Sequence, residues 1–154
     1  MSNKCFVSIA GLIIGLLPLA SIFVVGQYFP PSSTSYQPVF QPPSWVFIVV
    51  WTYVTLALGG VTVDALRHVD SSWVIALFYS LFLLTLNGWL VVNYYQYYKE
   101  GFYLLVSTCF LAIIYQMYLG WKRIPSSFLL LPLPFWLVIA SCLNATIYDH
   151  AHRK

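Results

Sequence analysis

The sequence predicts an all-α integral membrane protein, a five-transmembrane-helix bundle in a single domain over residues 1–154. The chain is 60% hydrophobic and only 7% charged, with a mean hydropathy of +0.80, whereas soluble domains are about 25% charged. Five apolar runs, each about 20 residues long, match the hydrocarbon thickness of a bilayer. Because a span exposed to lipid must satisfy its own backbone hydrogen bonds, these runs are predicted to be helices.

The first two spans are separated by the longest polar segment. Residues 5–26 carry no charge and exceed the apolar core of about 7–15 residues found in signal peptides, so they are predicted to be the first span, with Pro18 as a kink. Residues 27–43 are rich in proline, serine and threonine and are predicted to form a loop. The second span, residues 45–63, begins after two consecutive prolines, which suits a helix start.

The other three spans alternate with short polar turns. They are predicted at residues 73–92, 102–121 and 128–147. The third span runs into a tyrosine-rich segment, residues 94–98, of the kind that anchors at a membrane interface. Lysine and arginine divide almost evenly between the two sides, so the positive-inside rule does not orient the chain.

No Lys, Arg, Asp, Glu or His side chain falls inside a predicted span. Proton pumps, ion-coupled transporters and voltage sensors carry such charges in the membrane, so these classes are excluded. Without such side chains the spans cannot hold a catalytic acid–base pair, an activated nucleophile or a set of metal ligands. We therefore expect no catalytic residues and no metal site. His150 and His152 are interpreted as part of a solvated terminus, and the three cysteines as small buried apolar side chains. No basic face is present for nucleic acid.

The spans contain aromatic rings and a few amides instead. The rings predicted to lie deepest are Trp51, Trp89 and Trp136, and the amides are Asn87 and Asn144. A buried amide in hydrocarbon needs a partner, which is either another helix or a ligand; the residues alone leave both open. Aromatic walls with one or two amides suit a flat, mostly apolar ligand.

Two glycines in the first span form a small-residue motif. Gly11 and Gly15 have the spacing that lets two helices approach closely. The motif makes this face of the first span a candidate dimer face.

A set of ordered motifs resembles a known family. Residues 41–52, QPPSWVFIVVWT, hold paired prolines, then Ser-Trp-x-Phe and a second tryptophan, and Leu86-Asn87 follows in the third span. The fifth span adds Leu131-Pro132, Trp136, Ala140 and Leu143-Asn144. This ordered set resembles the translocator protein family, also called tryptophan-rich sensory proteins.

The resemblance implies a five-helix bundle, usually a homodimer, that needs no cofactor. It implies binding of porphyrins, sterols and synthetic aromatic ligands in a pocket under the first loop. Carried over position by position, the ligand-binding residues are Trp45, Trp51, Tyr79, Asn87, Trp136 and Ala140. The implied location is the outer mitochondrial or another internal membrane in a eukaryote, or a cell-envelope membrane in a bacterium.

Animal members of the family are associated with a C-terminal cholesterol motif. Leu143, Tyr148 and Arg153 fit the spacing of that motif in this chain. The alternative is that Arg153 is an end anchor whose side chain reaches the interface. The segment is therefore a candidate sterol contact.

The chain also departs from the family pattern in two places. Residues 35–40, SYQPVF, lack the two loop tryptophans and the lysine that the family usually has, with Phe40 in place of the second tryptophan. In bacterial members those tryptophans are linked to porphyrin photodegradation. The acidic residue common in the fourth helix is also absent, with Ser107 or Thr108 near its place.

Three functions are compatible with these observations. The favoured one is a membrane protein that binds porphyrin or sterol-like ligands for their transport or sensing. The alternatives are a structural or chaperone-like bundle without a ligand, and a light-dependent porphyrin-degrading enzyme with Trp45 or Trp51 as the redox-active ring. The missing loop tryptophans count against the enzyme.

Overall fold

The computed structural model is an all-α bundle, which confirms the predicted fold class. It describes residues 3–30, 37–70 and 72–153. The long helices in this part of the chain are α1 (Asn3–Tyr28), α2 (Ser44–His68), α3 (Ser72–Tyr94), α4 (Tyr98–Trp121) and α5 (Pro132–His152), with a short 3₁₀ helix, Pro125–Leu130, before α5. Each of the five long helices is long and apolar enough to cross a membrane, so the chain is an integral multi-pass membrane protein. Part of the predicted loop and the side chains of Cys5 and His152 lie outside the described residues.

Four helix boundaries differ from the predicted spans by four residues or more. Helix α4 begins at Tyr98 rather than at residue 102, and α5 ends at His152 rather than at residue 147. Helix α2 continues past its predicted end to His68, whose Nδ1 lies 2.9 Å from the carbonyl oxygen of Asp64. Basic residues in a last turn, here Arg67 and His68, favour the negative end of the helix dipole. The predicted fifth span, residues 128–147, begins in the 3₁₀ helix, and α5 starts only at Pro132 because proline lacks an N–H and suits the first helical turn.

The helices pack around the bundle in the order α1, α2, α5, α4, α3, with α3 closing back on α1. Helix α2 also touches α3, but it meets α5 over a short stretch only. The 3₁₀ helix packs on α2, where the hydroxyl of Ser126 donates to the carboxylate of Asp64. This arrangement leaves room between α2 and α5.

The tightly packed core occupies one half of the bundle. We call the end next to residues 27–43 the loop end and the opposite end the far end. Most of the large side chains with almost no exposure lie at mid-helix or toward the far end: Leu58, Val61, Ile75, Phe82, Tyr115, Leu119, Leu133 and Leu137. Val54 and Leu105 are equally buried side chains in the loop half. The loop half of the bundle is therefore the half that can hold cavities.

Helix α1 is mostly exposed to the surroundings of the bundle. Leu12, Ile13 and Phe23 are at least 60% exposed, as expected of side chains that face lipid. Its closest contact is with α2, where a Cβ atom at Gly59 would collide with the backbone carbonyl of Gly15. The absence of a side chain at Gly59 thus permits α1 and α2 to cross in backbone contact.

Candidate ligand-binding site

Two neighbouring cavities lie at the loop end of the bundle. The α1 cavity, about 310 Å³, lies between α1, α2 and α3. The α5 cavity, about 340 Å³, lies between α2, α3, α4 and α5, beside Gln41 at the end of the loop. The two cavities share four lining side chains: Phe47, Trp51, Trp89 and Leu90. Each is at the lower end of the range of about 300–1,000 Å³ that is typical of ligand pockets.

Aromatic rings from α2 and α3 form the wall between the cavities. Trp51 and Trp89 stack with ring centroids 5.6 Å apart and an angle of 29° between their planes. Phe47 precedes Trp51 by one helical turn, so both rings project from the same side of α2. Trp136 of α5 packs edge-on against Phe47 at 5.2 Å and Trp51 at 6.4 Å. We call Phe47, Trp51 and Trp89 the aromatic partition.

Several buried polar atoms around the α5 cavity lack hydrogen-bond partners among the described residues. Asn144 is only 4% exposed; its Nδ2 donates to the carbonyl of Ala140 at 3.2 Å, but its Oδ1 accepts no hydrogen bond. The indole Nε1 atoms of Trp89 and Trp136 are likewise buried without an acceptor. Leaving such groups unsatisfied costs about 1–3 kcal/mol each.

A sequence profile of the TspO/MBR family matches residues 9–149, which is most of the chain. The chain belongs to the TspO/MBR family. The resemblance drawn from the ordered motifs is thereby confirmed, together with the integral multi-pass membrane location. No curated protein matches the sequence of this TspO/MBR chain.

Three of the six predicted ligand-binding residues lie at the α5 cavity of this TspO/MBR bundle. Trp51 and Ala140 line the cavity, and Trp136 packs on the aromatic partition behind it. Trp45 is 64% exposed at the start of α2 and lines neither cavity. The remaining two, both on α3, contact α1 instead.

Tyr79 and Asn87 hold α1 against α3. Pro18 has no N–H, so the carbonyl of Ile14, one turn earlier, loses its usual helical donor. The hydroxyl of Tyr79 donates to that carbonyl at 2.6 Å. Two turns along α3, the Nδ2 of Asn87 donates to the hydroxyl of Ser21 at 3.1 Å. The structure therefore places Asn87 in an interhelical hydrogen bond, one of the two roles that the sequence left open.

Replacing Tyr79 with phenylalanine is expected to lower the free energy of unfolding by about 1 kcal/mol, because the Ile14 carbonyl loses its donor within the membrane. In a Pro18→Ala background the same replacement should lower the free energy of unfolding by much less, since the restored backbone N–H at position 18 donates to the Ile14 carbonyl. Reversible unfolding of the four variants in mixed micelles measures this coupling as a double-mutant cycle. An equal loss of unfolding free energy in both backgrounds would show that the Tyr79 hydroxyl does not replace the missing N–H of Pro18.

The other predicted site residues are spread along α1 and α5. Gly11 and Gly15 both face Val63 of α2 in the same chain, at 3.4 Å and 3.9 Å from the position of an added Cβ. Leu143 lines the α5 cavity, whereas Arg153 is exposed just beyond the end of α5. A homodimer face and a sterol motif both remain predictions for this TspO/MBR chain.

Several aromatic or polar residues that line the α5 cavity were not among the predicted site residues. They include Phe47, Asn93 and Tyr98. The one-turn spacing from Phe47 to Trp51 was a usable signal, because it places both rings on one helix face. Asn93 and Tyr98 lie at the ends of predicted spans, where interfacial anchoring was the simpler explanation.

The cysteines of this TspO/MBR chain form no metal site in the described part of the structure, where no group of three potential ligands is found. Cys109 is partly buried, with its Sγ 3.6 Å from the carbonyl of Pro134. Cys142 is exposed on α5, so the prediction that it is buried is wrong. A polarizable thiol is tolerated on a face that meets lipid, because it behaves as a small hydrophobe.

Proposed function

We propose that this TspO/MBR protein binds flat, mostly apolar ligands of the porphyrin or sterol class in the α5 cavity, as part of their transport or sensing. The observation that carries the proposal is the aromatic partition, which lines one side of a cavity that also has polar side chains in its lining. Aromatic rings offer a flat ligand dispersion contacts over its whole face. The polar side chains of Gln41 and Ser44 in the same lining offer places for a hydroxyl or N–H at the ligand's edge.

The position of the cavity also supports this proposal. The α5 cavity lies at the end of a membrane span, beside the loop residue Gln41 and the polar side chain of Asn93. A porphyrin or a sterol has a large apolar body and a polar edge, so it can fill the aromatic part and leave its polar groups near the interface. No ionised group is required for this recognition, consistent with the uncharged lining.

A titration of protoporphyrin IX against the detergent-solubilised protein tests the proposal through quenching of tryptophan emission. We expect saturable quenching in the wild type. Replacing Ala140, which is 3% exposed in the cavity lining, with leucine should weaken binding about tenfold or more, because the added side chain occupies ligand space. Ala76→Leu is the matched control, since Ala76 is exposed on α3 and lines neither cavity.

The outcomes separate the candidate functions. Saturable binding that Ala140→Leu loses and Ala76→Leu keeps supports the α5 cavity. Equal binding by all three proteins would place the ligand elsewhere. An absence of saturable binding in the wild type, with cholesterol and protoporphyrin IX both tried, would favour a structural bundle.

We further propose the homodimer that the family resemblance implies. Gly11, Gly15 and Gly60 leave a shallow groove on the outer face of α1 and α2, which suits the close approach of another helix. Chemical crosslinking in liposomes over a range of protein-to-lipid ratios tests it: a dimer that persists on dilution supports the proposal, and one that disappears contradicts it.

A further inference from the structure

The α1 cavity differs from the α5 cavity in its chemistry. Its lining is almost entirely apolar and comes from α1, α2 and α3. The hydroxyl of Thr55, which lies in the lining, donates to the carbonyl of Trp51 at 2.7 Å, so it is already occupied within its own helix. Apart from the short side chains of Thr52 and Thr55, the polar lining residue is Gln27, which is exposed at the loop end. This cavity therefore suits hydrocarbon with a polar group at one end only.

The mouth of the α1 cavity faces the bilayer. Helices α1 and α2 touch at Gly15 and Gly59, and the cavity lies between them from that crossing toward the loop end. Its most exposed apolar lining residues are Phe23 on α1, 68% exposed, and Ile48 on α2, 70% exposed. An opening between these two side chains leads sideways into the hydrocarbon region rather than into water.

The cavity is also elongated along the helix axis. Its lining on α1 extends from Leu19 to Gln27, which corresponds to about 12 Å of helix. The polar residue stands at the end nearest the membrane interface. A flexible chain that enters from the bilayer and keeps its polar group at the interface matches this order of contacts.

We propose that the α1 cavity binds one acyl chain of a membrane phospholipid, with the headgroup near Gln27. The chain lies against the faces of Trp51 and Trp89 that point away from the α5 cavity. This lipid site is separate from the ligand site of the proposed function and does not depend on it.

Brominated phospholipid tests the proposal, because bromine quenches tryptophan emission only on close contact. The parent protein for this experiment carries Trp45→Phe, Trp73→Phe and Trp121→Phe, which removes three rings that are at least 64% exposed. Its emission then comes from the three inner tryptophans, Trp51, Trp89 and Trp136. Nanodiscs of 1-palmitoyl-2-(9,10-dibromostearoyl)-phosphatidylcholine are compared with nanodiscs of the unbrominated lipid.

Glycine substitutions supply a matched pair of variants. Gly26 lines the α1 cavity, and an added Cβ there meets no atom within 4 Å. Gly26→Leu should therefore fill the cavity without a local clash and should reduce the bromine quenching at least twofold. Gly120 on α4 has equally open surroundings but lines neither cavity, so Gly120→Leu should leave the quenching unchanged. Leu19→Phe is a second filling variant with the same expected loss.

Two results would overturn the lipid site. One is a parent protein whose inner tryptophans are not quenched by the brominated lipid. The other is equal quenching in the parent, Gly26→Leu and Leu19→Phe. Porphyrin binding is measured on the same variants and should survive Gly26→Leu, so failure of the lipid site and failure of the porphyrin site give different results.

Discussion

Replacing Gly59 with alanine is expected to lower the free energy of unfolding by about 2 kcal/mol or more. The added Cβ would collide with the backbone carbonyl of Gly15, and a backbone atom in a helix cannot move aside as the end of a side chain can. Helices α1 and α2 must then separate, which loses packing along their whole contact. Thermal and SDS unfolding of the purified protein, followed by tryptophan fluorescence, measures the change.

Gly60 is the internal control for this prediction. It is the next residue on the same helix, and an added Cβ meets no atom within 4 Å. In the detergent-solubilised monomer, where no second copy can occupy the groove beside Gly60, Gly60→Ala should therefore leave stability within about 0.5 kcal/mol of the wild type or raise it slightly, since alanine is the better helix former. Similar losses at both positions would show that α1 and α2 do not cross at Gly15 and Gly59.

Replacing Trp51 with leucine is expected to weaken porphyrin binding about 30-fold or more, which corresponds to the 2 kcal/mol typical of an aromatic hot spot. Trp51 contributes to the lining of both cavities, stacks on Trp89 and supports Trp136 from the side. Removing its ring opens the partition and removes the largest flat surface offered to the ligand. Isothermal titration with protoporphyrin IX measures the loss without relying on tryptophan emission.

Trp121→Leu makes the same substitution at a ring that lines neither cavity. Trp121 is 76% exposed at the end of α4 and packs on Lys122 and Tyr118. Its replacement should leave porphyrin affinity within about twofold of the wild type. If Trp51→Leu binds as tightly as Trp121→Leu in folded protein, the aromatic partition is not the ligand's wall.

The helices of this protein were predictable because the length of an apolar run reports directly on bilayer thickness. Which face of each helix points inward was not predictable in the same way. A helix in lipid is apolar on its inner and outer faces alike, so the periodicity that marks a buried face in a soluble protein is weak. Trp45 and Trp51 illustrate this: both are tryptophans of α2, yet one is 64% exposed and the other lines two cavities.

The two amides show a second reason why part of the site escaped prediction. Asn87 and Asn144 both occur within apolar spans, and both need a partner. The Oδ1 atoms of both lack a partner among the described residues. The Nδ2 of Asn87 reaches Ser21 on α1, whereas the Nδ2 of Asn144 bonds only within α5, to the carbonyl of Ala140. The difference depends on the register between α1 and α3, which follows from packing and cannot be read from either helix alone.

The bond between Tyr79 and Ile14 has a consequence for biogenesis. Tyr79 follows Ile14 by 65 residues, so at about 5–20 residues per second the ribosome needs roughly 3–13 s to deliver the donor after the acceptor has been made. During that interval the nascent α1 carries a backbone carbonyl that Pro18 cannot satisfy. Until α3 arrives, α1 is therefore less stable in the membrane by about the 1 kcal/mol that this bond contributes.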